Sequence, residues 1–108
     1  MTTIAADSPV VTLINVFTVE PDRQEELVEA LETATTGLMR TIDGFVSANI
    51  HASLDGVRVT NYAQWESEAH FEAMLADPQV REHLAATREI ATSFEPHLYR
   101  VRSVHTGA

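Results

Sequence analysis

The chain has 108 residues, no cysteine, and a formal net charge of -9 from 7 Lys and Arg against 16 Asp and Glu. This length corresponds to a single domain and leaves no room for a dinucleotide-binding domain beside a separate substrate domain. The lack of cysteine excludes disulfides, thiolate nucleophiles and thiolate metal sites, and it fits a cytoplasmic protein. The negative charge argues against nucleic acid and anionic membranes as partners, and no apolar run is long enough to span a bilayer.

The first half of the chain changes from a strand pattern to a helix pattern. Residues 1–9 are small and polar, which predicts a flexible N-terminal arm. Val10 to Glu20 is rich in β-branched and apolar residues and is predicted to be a strand that ends at Pro21. Asp22 to Ile42 carries apolar residues at helical spacing, and the Asp43-Gly44 turn is expected to end this helix.

The middle of the chain is predicted to be a β-hairpin. Phe45 to Leu54 and Val57 to Glu66 both have the composition of strands. The dipeptide Asp55-Gly56 lies between them and favours a two-residue type I′ turn.

The last third combines two helices with a final strand. Ser67 is suited to cap a short helix, and Asp77-Pro78 is suited to open a longer one. Phe94 to His105 is predicted to be the last strand, which leaves 106–108 as a tail. Residues 10–105 are therefore expected to form one domain.

The order of these elements, β-α-β-β-α-β, predicts an α+β fold of the ferredoxin-like split βαβ type. Such a fold has one antiparallel sheet with its helices packed on a single face. The other face is uncovered, and exposing apolar residues there is unfavourable, so the chain is expected to form a homodimer through it. The apolar residues predicted to lie on this open face include Val10, Ile14, Val16, Val46, Ile50 and Val101.

Two asparagines occupy unusual positions on the predicted strands. Asn15 shares one strand face with Leu13 and Phe17, and Asn61 shares a face with Trp65. A buried amide that lacks a hydrogen bond costs about 1–3 kcal/mol. Two interpretations follow: either these amides bond each other or the backbone, with Trp65 in the core, or they line a small apolar pocket between the sheet and the helices.

Other catalytic motifs are missing. The five histidines have no metal-binding spacing, no serine lies in a nucleophile elbow, and no glycine-rich loop could hold a phosphate. No resident metal, flavin or nicotinamide is therefore predicted. Amides do not titrate near neutral pH, whereas an imidazole does, so His51 and His83 are the candidates for a general base.

Three stretches of the sequence resemble a known family. They are Ile14-Asn15-Val16-Phe17-Thr18-Val19, His51-Ala52-Ser53 and Asn61-Tyr62-Ala63-Gln64-Trp65-Glu66-Ser67. Together they resemble the antibiotic biosynthesis monooxygenases, and in particular the cofactor-independent anthrone monooxygenases of aromatic polyketide pathways. The similarity spans about residues 10 to 105. It implies a dimeric ferredoxin-like α/β barrel that oxidises an anthrone-like phenolic polycycle to a quinone with dioxygen and no cofactor.

The resemblance also implies roles for individual residues. Asn15, Asn61 and Trp65 are expected to be catalytic, with the amides and the indole N–H as donors to the enolate or peroxide oxygen. The residues expected to bind the substrate are Phe17, His51, Phe71 and His83. Phe71 stands where the anthrone enzymes carry an aromatic hydroxyl, so a different polycycle is expected.

Two alternatives remain open from the sequence. Heme-degrading monooxygenases share the fold, and Asn15, Trp65 and His83 resemble their heme-site residues. His83 would then be the axial iron ligand, and one histidine is enough because the porphyrin supplies the other four nitrogens. The second alternative is a non-catalytic dimeric ligand-binding domain, since the fold alone does not define a function.

Overall fold

The computed structural model describes all 108 residues and contains one antiparallel sheet covered on one face by helices. The elements are β1 (Val11–Thr18), α1 (Gln24–Gly37), β2 (Phe45–Ala52), β3 (Arg58–Trp65), α2 (Glu68–Leu75), α3 (Pro78–Ile90) and β4 (Ser93–Tyr99). The strand order is β2-β3-β1-β4, which confirms the ferredoxin-like α+β fold. The sheet of one chain is open and does not close into a barrel. None of the helices has the length and apolar character needed to cross a membrane.

The first helix is shorter than predicted. α1 ends at Gly37, and Leu38 leaves helical geometry with φ -137° and ψ -59°. Glycine is a poor helix former, and the chain continues as a separate 3-10 turn, Met39–Thr41, before it reaches β2. A second 3-10 turn, Pro21–Arg23, replaces the predicted first turn of the helix.

The connection between β2 and β3 is not the predicted two-residue turn. A type I′ turn needs positive φ at both central residues. Here only Gly56 has a positive φ, of 82°, and Asp55 does not. The loop is longer and is closed by a hydrogen bond from the Gly56 N–H to the Ser53 carbonyl at 3.1 Å.

The last strand also ends earlier than predicted. β4 stops at Tyr99, not at His105, and Tyr99 lies opposite Thr12. Because β1 begins at Val11, the backbone beyond Tyr99 has almost no partner strand left to pair with.

The core lies between the sheet and the helices and consists of two clusters. The first contains Val11, Leu13, Ala63, Trp65, Met74 and Val80. The second contains Phe17, Val19, Leu27, Leu31 and Val59. Full burial of a side chain such as Leu27 contributes about 1.5–3 kcal/mol, so these clusters hold α1 and α3 against the sheet. Asn15 lies between the two clusters in the sequence of β1, on the same face as Leu13 and Phe17.

The open face differs from the prediction at Ile50. The register of β2 shifts between Phe45 and Ser47, where a bulge interrupts the regular alternation. Ile50 therefore packs against the second core cluster on the helix side of the sheet, so its placement on the open face was wrong. Ile14 and Val16 lie on the open face, because their neighbours on β1 point to the helices.

The N-terminal residues lie across the open face. The Asn49 side-chain amide donates to the Thr2 hydroxyl at 2.6 Å, and the Gln64 amide donates to the Thr3 carbonyl at 2.7 Å. Residues 1–9, predicted to be a flexible arm, have no regular secondary structure but are attached to β2 and β3 at these two points. The arm thus covers polar side chains at the β2–β3 half of the open face.

Candidate functional site

Asn15 and Asn61 form a cross-strand pair at the centre of the sheet. They are directly opposite each other in the β1–β3 register, and Pro96 on β4 lies opposite Asn15 on its other side. Directly opposite side chains have Cβ atoms about 4.5–5.5 Å apart. Two amides therefore lie side by side on the face that the helices cover.

These two amides are not satisfied by the protein. The Oδ1 atoms of Asn15 and Asn61 are buried and have no hydrogen-bond partner, and the same is true of Nε1 of Trp65. The interpretation that the asparagines bond each other is therefore wrong. Buried polar groups are almost always paired in native proteins, and each unpaired group costs about 1–3 kcal/mol. Three such groups on one face point to a site that is completed by a ligand.

Trp65 packs against two other aromatic rings. Its ring centroid lies 5.6 Å from that of Phe45 at an angle of 87°, and 6.4 Å from that of Phe71 at 71°. Both are edge-to-face arrangements, which are favourable for aromatic pairs. Trp65 is four residues after Asn61 on β3, which corresponds to about 13 Å along the strand. The amide pair and the indole thus lie at two separated points of one cavity wall.

A cavity of about 280 Å³ lies between this face and the helices. Of its 23 lining residues, 15 are hydrophobic, so the site is apolar with a few polar groups. α1 supplies Leu31, Ala34 and Thr35, and α2 supplies Phe71, Met74 and Leu75. This is the composition typical of a small-molecule site.

Most of the residues singled out in the sequence meet at this cavity. Those that line it are Asn15, Phe17, Asn61, Trp65, Phe71 and His83. His51 does not, because it lies on the other face of β2 together with Ser47 and Asn49. It is exposed there, with Nδ1 3.2 Å from the Asn49 carbonyl oxygen, so the structure does not support its expected contact with a substrate.

Arg88 lines the cavity but was not assigned a role from the sequence. Its guanidinium carbon lies 4.8 Å from the ring centroid of Phe94, in a cation–π arrangement. Arg88 is one helical turn after Leu84, which also lines the cavity, so periodicity could have placed it there. The contact with Phe94 was not predictable from the sequence. The position of Phe94 beside Arg88 depends on the register in which β4 pairs with β1.

A cluster of possible metal ligands is formed by Asp43, Glu66 and His70 at the start of α2. Asp43 and Glu66 are exposed, and His70 Nε2 lies 3.6 Å from Asp43 Oδ2. The other ring nitrogen of His70 lies 2.7 Å from the Ser67 hydroxyl, the cap of α2. None of these residues lines the cavity, so the cluster has no connection to the site described above.

The fold agrees with what is found by comparison. The family model described as antibiotic biosynthesis monooxygenase matches residues 10–86, and the chain belongs to this family. The chain is 47% identical over 91 residues to tetracenomycin-F1 monooxygenase of Streptomyces glaucescens, which covers 84% of this chain and 81% of that protein. By its family and this relative, the chain is an oxidoreductase of the monooxygenase class.

Two solved structures extend the comparison. A monooxygenase from the ActVA-Orf6 gene of Streptomyces coelicolor, in complex with nanaomycin D, is 31% identical with a TM-score of 0.82, over 91% of this chain and 92% of that chain. SnoaB, a cofactor-independent oxygenase from Streptomyces nogalater, is 26% identical with a TM-score of 0.75, over 90% and 97% of the two chains.

Proposed function

We propose that the protein is a cofactor-independent monooxygenase that oxidises an anthrone-like phenolic polycycle to a quinone with dioxygen. The observation that carries this proposal is the pair of unpaired amides, Asn15 and Asn61, in the wall of an apolar cavity that also contains Trp65. Family membership and a relative described as a cofactor-independent oxygenase support it.

The reaction needs no external electron donor, because the substrate itself is oxidised. Loss of a proton from the methylene carbon leaves an electron pair delocalised as an enolate. One electron passes to dioxygen, and the resulting radical pair combines to form a C–O bond and a peroxide. Loss of the second methylene hydrogen as a proton breaks the O–O bond, so one oxygen atom remains as the quinone carbonyl and the other leaves as water.

The side chains of the site suit the charges that develop in this sequence. The Asn15 and Asn61 amides provide fixed N–H donors for the enolate oxygen, and an oxyanion donor of this kind is commonly worth about 100- to 1,000-fold in rate. The Trp65 N–H, which has no acceptor in the protein, is a third donor for the peroxide. Phe17 and Phe71 provide apolar surface for the flat rings, and His83 lies at the same cavity.

A relative described as a cofactor-independent oxygenase favours this reaction over the heme alternative, in which His83 would be the axial ligand. The cavity of about 280 Å³ lies just below the range of roughly 300–1,000 Å³ that is typical for drug-sized ligands. A non-catalytic ligand-binding domain does not agree with membership of a monooxygenase family.

We also propose that residues 10–105 act as one domain of a homodimer, in which the partner covers the open face of the sheet. Ile14 and Val16 on this face are only half-buried, and Tyr99 is 48% exposed. The arm of residues 1–9 covers the β2–β3 half, so the second copy would cover the β1–β4 half. Sheet-to-sheet packing of two copies would give the dimeric barrel that the resemblance implies.

Oxygen uptake with emodin anthrone tests the proposed reaction. The expected result is stoichiometric oxygen consumption with formation of the quinone, unchanged after metal removal and in the presence of a chelator. Asn61→Ala and Trp65→Phe are expected to lose most of this turnover. A protein that consumes no oxygen with any anthrone, or whose turnover is lost with the chelator, would contradict the proposal.

A further inference from the structure

A groove of about 350 Å³ lies between α1 and α3 and contains no residue of the sheet. Its walls are formed by Glu26, Glu29, Ala30 and Thr33 of α1 and by His83, Ala86, Thr87 and Ile90 of α3. His83 and Thr87, one helical turn apart, also line the cavity over the sheet. These two residues thus form a wall that is shared by the cavity and the groove.

Of the two shared residues, only His83 is able to exchange a proton. The Thr87 hydroxyl donates to the His83 carbonyl at 2.9 Å, and Thr87 is 3% exposed. The imidazole of His83 is half-buried and is not engaged by any side chain of the protein, so both ring nitrogens are free to bind a substrate or water. An imidazole both accepts and releases a proton under physiological conditions.

The charges around His83 are arranged asymmetrically. On the groove side, α1 contributes Glu26 and Glu29. Glu26 is held by Arg23 at 2.9 Å, and this hydrogen bond lowers the pKa of Glu26, so it stays a carboxylate at neutral pH. On the cavity side the charged group is Arg88, whereas the side chain of His97, opposite Ile14 in the register, lies on the open face of the sheet. A proton on His83 therefore has the Glu29 carboxylate and the Glu26–Arg23 ion pair towards the groove and a guanidinium towards the cavity.

We propose that His83 is the general base of the reaction, which takes the methylene proton in the cavity and releases it to water in the groove between α1 and α3. In this step the C–H bond breaks, its electron pair stays on the substrate as the enolate, and the proton binds an imidazole nitrogen. Release through the groove returns His83 to the neutral form while the substrate still fills the cavity. The inference rests on the proposed function, because it requires a carbon acid as the substrate.

The test separates proton removal from the reaction with oxygen. Under anaerobic conditions, emodin anthrone is mixed with the protein, and formation of the anthrone anion is followed by its absorption at longer wavelength. We expect His83→Gln to form the anion at least about 100-fold more slowly than the unmodified protein, the usual size of a general-base contribution. The matched control is His105→Gln, which removes an exposed imidazole of the C-terminal segment, outside both the cavity and the groove, and is expected to have no effect.

Two further readouts exclude a merely structural role for His83. Added imidazole is expected to restore part of the rate in His83→Gln, and the loss of rate at acidic pH is expected to disappear in this variant. Anion formation by His83→Gln at the unmodified rate would overturn the inference and leave the oxygenase proposal intact. Conversely, His83-dependent anion formation without oxygen uptake would support the base and contradict the oxygenase.

Discussion

Asn15 and Asn61 lie directly opposite each other on adjacent antiparallel strands, yet their buried carbonyl oxygens have no hydrogen-bond partner. A hydrogen bond between such neighbours would be easy to form, and its absence costs stability. Leucine has nearly the same shape as asparagine and no polar atoms, so it would fit the same position in a stable fold. The unpaired amides therefore lower the stability of the fold and leave polar groups available to bind a ligand.

Asn61→Leu is therefore expected to stabilise the fold while it impairs the reaction. Loss of the unsatisfied carbonyl should raise the free energy of unfolding by about 1 kcal/mol. Loss of one donor to the enolate should lower kcat about 100-fold or more. Urea unfolding and oxygen uptake measure the two effects.

Asn49→Leu is the matched control for this variant. The Asn49 amide donates to the Tyr62 carbonyl at 3.0 Å and to the Thr2 hydroxyl on the open face of the sheet. The same substitution there should lower the free energy of unfolding by about 1 kcal/mol and leave turnover unchanged. If both variants lose stability to a similar extent, Asn61 is an ordinary structural residue.

The sequence was sufficient to predict the order of the elements and to single out residues that line one cavity. Alternation along β1 and β3 places Asn15 on one face with the apolar Leu13 and Phe17, and Asn61 on one face with Trp65. The same alternation failed at Ile50, because it assumes that no bulge interrupts β2. The position of a bulge depends on how two strands pair, and it cannot be predicted from the residue pattern of one strand alone.

The position of His83 illustrates a second limit of the sequence. Helical periodicity places it at the edge of the apolar side of α3, but not beside a groove. That groove exists because Glu26 and Glu29 of α1 pack opposite α3, a contact between segments more than fifty residues apart. In the same way, the contacts of Thr2 and Thr3 with the sheet could not be predicted from the small, polar residues of the N-terminal segment.

Trp65 provides a direct probe of the cavity, because it is the only tryptophan of the chain. It is 2% exposed, so its emission in the free protein is expected to be that of a buried indole, at shorter wavelength than in the unfolded chain. An aromatic polycycle in the cavity should quench this emission with a saturable dependence on concentration. Fluorescence titration with emodin, the stable quinone, measures this binding without turnover. An emission that remains unchanged at saturating ligand would place the binding site elsewhere.

A charge on the open face of the sheet should separate the proposed dimer. Ile14 is half-buried on this face, opposite Tyr62 and His97 in the two neighbouring strands. Ile14→Glu would bury an unpaired carboxylate in the interface at a cost of several kcal/mol, which raises the dimer Kd by more than about 100-fold. Sedimentation velocity should show a dimer for the unmodified protein and a monomer for this variant.

The control for this experiment introduces the same charge at a position outside the sheet. Leu54 is 106% exposed in the loop between β2 and β3, so Leu54→Glu should leave the dimer intact. Circular dichroism confirms that both variants are folded. If Ile14→Glu sediments as a dimer, the open face is not the interface.

Asp55 should make the stability of the β2–β3 loop dependent on pH. The Ser53 hydroxyl donates to its carboxylate at 2.6 Å, the Val57 N–H donates at 3.2 Å, and Arg58 lies nearby; together these lower the pKa of Asp55 below its ordinary value. A lowered pKa in the folded state means that the carboxylate stabilises the fold above the unfolded pKa of about 3.9. This contribution is lost as the pH falls through the lower, folded pKa. Asp55→Asn should therefore reduce the Tm at pH 7, and the difference from the unmodified protein should shrink as the pH falls below about 4. Thermal unfolding followed by circular dichroism between pH 2 and 7 measures it, and a difference in Tm that stays constant across this range would show that the charge of Asp55 has no part in the effect.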